Sequence, residues 1–200
     1  MRTALVVVAV LSAAGASPAH AQRDQWFGIT WQMAQPLQNT HDFTSPYSFR
    51  GMGIEWRWVH RSTSFGINAA WNVMNQNVVG TGSFQSADIT GKQFRYINAF
   101  PIMASLHVYL GPEGGARGFL GANIGTYYIE RQVDVGIFQI TDNNWHFGLA
   151  PELGFAVPMR GGLGNTAFFA TARYNYGFAA GDAPYQSWLS VHVGFAYRKL

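Results

Sequence analysis

The chain has 200 residues, of which 48% are hydrophobic and 16% aromatic but only 12% charged, about half the charged share of an ordinary soluble domain. The length suits one domain. The net charge of +3 is scattered without a Lys/Arg block, which excludes the clustered basic face that nucleic-acid binding requires. With no cysteine, neither a disulfide framework nor a thiolate metal site is available.

At the N-terminus, Met1-Arg2 is a short positive segment, Ala4 to Ala14 is apolar, and Ala19-His20-Ala21 has the form of a cleavage site. The apolar run is too short to span a bilayer, so residues 1–21 read as a signal peptide and residues 22–200 as one β-barrel domain. Beyond it the chain alternates with a period of two, the signature of β-strands. Strand one is Trp26 to Met33, with Phe27, Ile29, Trp31 and Met33 on one face and Gly28, Thr30 and Gln32 on the other. Strand two runs from Gly51 to Val59 and sets Met52, Ile54, Trp56 and Trp58 against Gly53, Glu55 and Arg57. Strand three is Ser64 to Met74.

The most regular stretch is Phe94 to Tyr128, two alternating runs joined by Gly111-Pro112-Glu113-Gly114-Gly115. Tyr96, Phe100, Ile102, Ala104, Leu106 and Val108 share one parity; Arg95, Ala99, Met103, Ser105 and His107 share the other. Such runs are predicted to be strands four and five, each long enough to cross a bilayer, which takes about 9–11 tilted residues. Strand six (Trp145 to Val157) sets Phe147, Leu149, Leu153 and Phe155 against Gly148, Ala150, Glu152 and Gly154. A Gly161–Gly164 turn, strand seven (Ala167 to Phe178) and strand eight (Trp188 to Tyr197) complete the set.

Two regularities give the architecture. The connections after strands one, three, five and seven are long and those after two, four and six are short, the asymmetry of outer-membrane barrels. The long ones are read as loops at Gln35–Ser48, Asn75–Lys92 and Gln132–Asn144, with Ala179–Gln186 a moderate one. The charged residues inside strands also keep to one face. Glu55, Arg57, Arg95, Glu152 and Arg173, with His107, His146 and His192, lie opposite the apolar side chains. A Lys or Arg facing lipid at the midplane costs about 2–4 kcal/mol. The opposite face, rich in Gly, Ala, Ser, Thr and Asn, reads as a small, polar lumen. Trp56, Trp58, Trp71, Trp145 and Trp188 fall near strand ends, where aromatic girdles belong. The fold class is therefore all-β, an eight-stranded antiparallel up-and-down transmembrane β-barrel.

Three stretches carry a family likeness: Phe100-Pro101-Ile102-Met103-Ala104 with Gly118-Phe119-Leu120-Gly121-Ala122, then Ala150-Pro151-Glu152-Leu153-Gly154-Phe155, and Val193-Gly194-Phe195-Ala196-Tyr197. They resemble the central hairpin, sixth strand and closing strand of the small outer-membrane β-barrel family that includes OmpX, the OmpA transmembrane domain and opacity-type adhesins. The resemblance implies a cell outer membrane address, contact with outer-membrane lipid, and delivery by the barrel-assembly machinery. It also implies an extracellular ligand or host surface met through the loops. Family barrels close on an aromatic residue; here Tyr197 or Leu200 takes that place.

The candidate site is the polar and charged lumen cluster Glu55, Arg57, Arg95, His107, Glu152, Arg173 and His192. Counting back from the glycine turn puts Glu152 opposite Arg173. No cofactor is implied, and the scattered histidines show no metal-ligand spacing. The glycines of 80–82 and 161–164 open no helix, so they are turn glycines rather than phosphate loops. The expected role is non-enzymatic, structural or in surface interaction through the loops. The alternative is a narrow pore for ions or small solutes. A lipid-A-modifying enzyme, which would use His41 with Ser86 and Asp88, comes third.

Overall fold

The computed structural model describes residues 24–84, 87–159 and 165–199, with the backbone alone at 82–84 and 87–89. The segment 1–21, Ser86, the Asp88 side chain, the glycines of 161–164 and Leu200 lie outside the described residues. The elements are β1 (Asp24–Leu37), α1 (Gln38–Phe43), β2 (Arg50–His60), β3 (Thr63–Phe84), β4 (Ala87–Leu110), β5 (Arg117–Val135), β6 (Phe138–Pro158), β7 (Thr166–Gly177) and β8 (Gln186–Lys199). Each strand pairs antiparallel with the next, and β8 returns to β1 to close an eight-stranded barrel. Tyr197 lies in the closing register, opposite Phe27 on β1 and Thr166 on β7.

The alternation of sequence becomes a division between outside and inside. Ile29, Met52, Ile67, Leu106, Leu120 and Leu153 are each about half or more exposed on the outer wall. Their strand neighbours Thr30, Asn68, His107 and Glu152 are buried in the lumen. A wall of this composition all round the barrel is far larger than a water-facing apolar patch can be. With its backbone polar groups satisfied by closure, it is the surface of a transmembrane barrel. No described helix is long and apolar enough to cross a membrane, and none is needed.

Three expectations are corrected. The segments 75–92 and 132–144 are not loops: β3 and β4 stay paired out to Phe84↔Ala87, and β5 and β6 to Val135↔Phe138. Together with the Gln93↔Val135 pairing of β4 with β5, they raise a four-stranded sheet beyond the rest of the barrel wall. β2 leaves β3 at Arg50↔Val73, and β7 leaves β6 at Gly148↔Gly177. The ladder persists there without an apolar outer face. The apolar alternation that marks a strand in the sequence is therefore diluted by Asn, Gly, Ser and Thr. The segment 35–48 is likewise structured, with the end of β1, the single-turn α1, and a bridge from Ser48 back to Ala34.

Trp188 is the second correction. It shares parity with Ser190 and His192, so its indole turns inward, fully buried, edge-on to Tyr127 at 5.1 Å between ring centroids. It belongs to the lumen and not to a girdle. Third, the lumen is not uniformly small and polar. Trp26, Tyr109, Phe119 and Phe169 fill it toward the short turns, and Met74, Ile97, Met103, Tyr127, Ile129 and Trp188 toward the long connections.

Pro101 and Pro151 break the ladders locally. Pairing of β3 with β4 skips from Ala69↔Ile102 to Asn72↔Ala99, and that of β6 with β7 from Leu149↔Tyr176 to Glu152↔Arg173. A proline has no N–H to donate. At the second break Asn123 reaches from β5 and donates through Nδ2 to the Ala150 carbonyl at 2.9 Å.

Candidate functional site: the charged layer of the lumen

Between the two apolar layers lies a belt of charge. Arg57 donates to Glu55 Oε2 at 2.9 Å and to the Tyr109 hydroxyl at 3.2 Å. Its guanidinium stands 4.9 Å from the Phe119 ring centroid and 5.5 Å from that of Phe169, so the cation is held between a carboxylate and two aromatic faces. Across the lumen, Arg173 Nε donates to Glu152 Oε2 at 2.6 Å and its Nη1 to Asn68 Oδ1 at 3.0 Å. Asn68 in turn donates to Asn123 Oδ1 at 2.9 Å. The second carboxylate oxygen of Glu152 accepts from His107 Nε2.

That bond fixes the imidazole. With Nε2–H given to the carboxylate, Nδ1 is left to accept the Ser64 hydroxyl, 2.9 Å away. Arg57 and Arg173 then balance Glu55 and Glu152, all four in the buried layer. Removing such charges from water is tolerable only when they are mutually paired and hydrogen-bonded. Backbone shape makes the room. A methyl on Gly121 would meet the His107 ring at 2.5 Å and Glu152 at 3.1 Å, and one on Gly28 would meet Glu55 at 2.9 Å.

The seven residues singled out from the sequence do not form one group. Glu55, Arg57, His107, Glu152 and Arg173 lie in the charged layer, where the Tyr109 hydroxyl meets both Arg57 and Ser64, and Ser64 in turn meets His107, so that the two halves of the layer are linked. His192 sits beside it, its Nε2 2.9 Å from Ser190 Oγ, which itself meets Asn175. Arg95 lies apart, near the long connections. It donates to Gln93 Oε1 and stands 5.7 Å from the Phe43 ring centroid. Sequence reasoning missed Ser64, Asn68, Tyr109 and Asn123, the neutral groups that complete the network. Each shares its strand parity with a small or polar lumen residue, and that was the available signal.

The line Ser64–His107–Glu152 has the residue types of a nucleophile, base and orienting acid. Ser64 is buried, however, and beside it stand Tyr109 and the His107–Phe119 ring contact at 5.4 Å. A substrate would have to displace the aromatic layer to reach this line. His41 is exposed on α1; its proposed companions Ser86 and Asp88 fall outside the described side chains. Among the described residues no group of three His, Asp or Glu is placed to hold a metal.

The mouth at the long connections is stopped by α1. Thr40 Oγ1 donates to Gln186 Oε1 at 3.0 Å and accepts from the Ser187 N–H at 2.9 Å. These bonds hold the turn against β8. Phe43 follows into the lumen, buried with Met74, Ile97 and Trp188 and covered by the Arg131 guanidinium 4.1 Å from its ring centroid.

No family model and no curated protein matches the chain. Solved structures do. Ail, the attachment invasion locus protein of Yersinia pestis, superposes with a TM-score of 0.54 at 9% identity, covering 90% of this chain and all of its own. The same protein in complex with the heparin analogue sucrose octasulfate gives 0.53 at 11% over the same spans. Neisserial surface protein A gives 0.51 at 14%, covering 90% of this chain and 98% of its own. Identities this low speak for the fold alone. Strand number, closure, the lipid-facing wall and these superpositions agree: the fold of this chain is that of the small eight-stranded outer-membrane barrels.

Proposed function

We propose that this chain, matured to begin at Gln22, is a non-enzymatic outer-membrane protein that presents a recognition sheet at the cell surface. The barrel is its anchor. The observation that carries this reading is the sheet formed by the outer parts of β3 to β6. Among the described residues, Met74–Phe84 pairs only with β4 and Phe138–Trp145 only with β5. Each therefore leaves one row of backbone N–H and C=O groups open. Natural edge strands are usually blunted by lysine or proline. Met74–Phe84 contains neither, nor any other charge. Such an edge accepts an added strand, with main-chain hydrogen bonds supplying affinity.

The filled lumen supports the same reading. Eight strands leave an interior that side chains can occupy completely, and here three layers of them lie under the Phe43 plug. Conduction would require several to move together.

Two measurements, on the full chain, a trimmed chain and an Arg173→Ala variant, test this. In the first, cells producing the full chain are compared for attachment to host-cell monolayers with cells whose 75–92 hairpin is replaced by a tight turn. Attachment lost while the trimmed barrel still folds and reaches the surface supports recognition by the sheet. In the second, all three proteins are examined in planar bilayers. Large, stable conductance that survives trimming and changes with Arg173→Ala would replace this reading with a pore.

A further inference from the structure

The short-turn end of the barrel holds a cavity of about 550 Å³ that belongs neither to the charged layer nor to the sheet. Its size is that of a small-molecule site, about 300–1,000 Å³. Trp26 lies along it, with Arg61, Glu113, Arg117, Arg198 and Asp24 around it. The rim is organised in advance. Arg117 Nε donates to the Pro112 carbonyl and its Nη1 to the Arg61 carbonyl, both at 2.8 Å. One guanidinium thus ties the β4–β5 turn to the β2–β3 turn. Its Nη2 has no part in either bond, so the fixed fork keeps donors to spare.

Among the described lining residues the charges do not cancel. Asp24 is engaged by Arg198 at 3.1 Å, which leaves Arg61 and Arg117 against Glu113, an excess of one positive charge within that set. Nearby, Trp26 Nε1 and Arg198 Nε are buried donors with no hydrogen-bond partner among the described residues. The Arg198 guanidinium lies 5.3 Å from the Trp26 ring centroid, so both unpaired donors sit in one cationic, aromatic corner.

We propose that this mouth binds a small solute carrying one oxyanion on an apolar body. The oxyanion, a carboxylate or a phosphate, is received by Arg117 and Arg61. The body rests against the Trp26 side of the cavity, and the mouth would serve as a capture site on the face opposite the recognition sheet.

The test uses the full mature chain in detergent micelles, with the Trp26 indole N–H resonance assigned by its loss in Trp26→Phe. Titration with 3-phenylpropionate and with phenyl phosphate should give saturable shifts of that resonance, and the tighter of the two identifies the oxyanion. Acetate and inorganic phosphate, which lack the body, should bind at least about tenfold more weakly, equivalent to about 1.4 kcal/mol. Arg117→Gln should weaken the aryl probe by about tenfold or more, the scale of one charge-assisted hydrogen bond. Because Arg117 also ties the turns, Arg61→Asn is the second variant. It keeps the backbone carbonyl that Arg117 uses and tolerates the positive φ of 51° at that position. It should weaken the probe while the rest of the spectrum stays in place. No saturable shift, equal binding of the aryl probes and their bare anions, or undiminished binding in both variants would overturn the proposal.

Discussion

The middle of the lumen sets Arg57 and Arg173 against Glu55 and Glu152, whereas the layer toward the long connections is packed from the neutral side chains of Met74, Ile97, Tyr127, Ile129 and Trp188, with Arg95 and Arg131 near it at Phe43. Both layers exclude water from the same narrow hollow. In the charged layer each group depends on a named partner, because a buried ion without one bears its whole desolvation cost. In the apolar layer the side chains depend on volume, because packing is non-directional and a lost group leaves a cavity. The consequence is a difference in coupling. Substitutions should be strongly non-additive within the first layer and nearly additive between the two.

The largest effect is expected where one group serves two partners. Glu152→Ala strands both Arg173 and His107 and should lower stability by about 3–5 kcal/mol in urea unfolding from lipid. Adding Arg173→Ala removes the orphaned cation, so the double variant should cost less than the two single losses combined by about 1–3 kcal/mol. Strict additivity of that pair would erase the distinction between the layers. Met74→Ala, in the apolar layer, should cost about 2–3 kcal/mol, the lower part of the cavity range because methionine is flexible. Combined with Glu152→Ala it should add within about 0.5 kcal/mol, as separate sites do.

Asn123 sharpens the comparison by standing between neutral and ionic partners. It accepts from Asn68, which supports Arg173, and donates to the Ala150 carbonyl beside the proline break. Asn123→Ala should cost about 1–2 kcal/mol, since a buried donor and acceptor are each left without a partner. The same change should loosen the β6–β7 seam, read as faster amide exchange around Leu149 and Tyr176 than around Leu120 and Val108.

How much of this was written legibly in the chain depends on which physical signal each feature leaves. The lipid-facing wall leaves the strongest one, because hydrocarbon enforces alternation at Ile102, Leu106, Leu120 and Ile124. The Glu152↔Arg173 register follows from counting outward from a short turn. The link from His107 to Glu152 joins β4 to β6 across Gly121 of β5, which pairs with both, and only the missing side chain there lets them meet. Trp188 could have been placed by its parity with Ser190 and His192; its position near a strand end outweighed that signal. The raised sheet left little trace because hydrogen bonding along a ladder does not require an apolar face. α1 left still less. Its six residues carry no side-chain N-cap bond and are too few for helical periodicity.

The smallest effect should separate the plug from both layers beneath it. α1 is held less by its own turn than by Thr40, whose hydroxyl gives to Gln186 and receives from the Ser187 backbone. Thr40→Val keeps the side-chain shape and removes both bonds, so the global loss should be about 1 kcal/mol. The local consequence should be larger than the global one. Phe43 enters the lumen three residues later and contributes to the apolar layer, yet its anchor is polar and lies on β8. Amide exchange at 40–44 and at Ser187 should therefore accelerate while Ile97 and Ile129 stay protected. If instead Ile97 and Ile129 open together with the helix, the plug and the apolar layer form one cooperative unit. The hollow would then be divided at the charged layer alone.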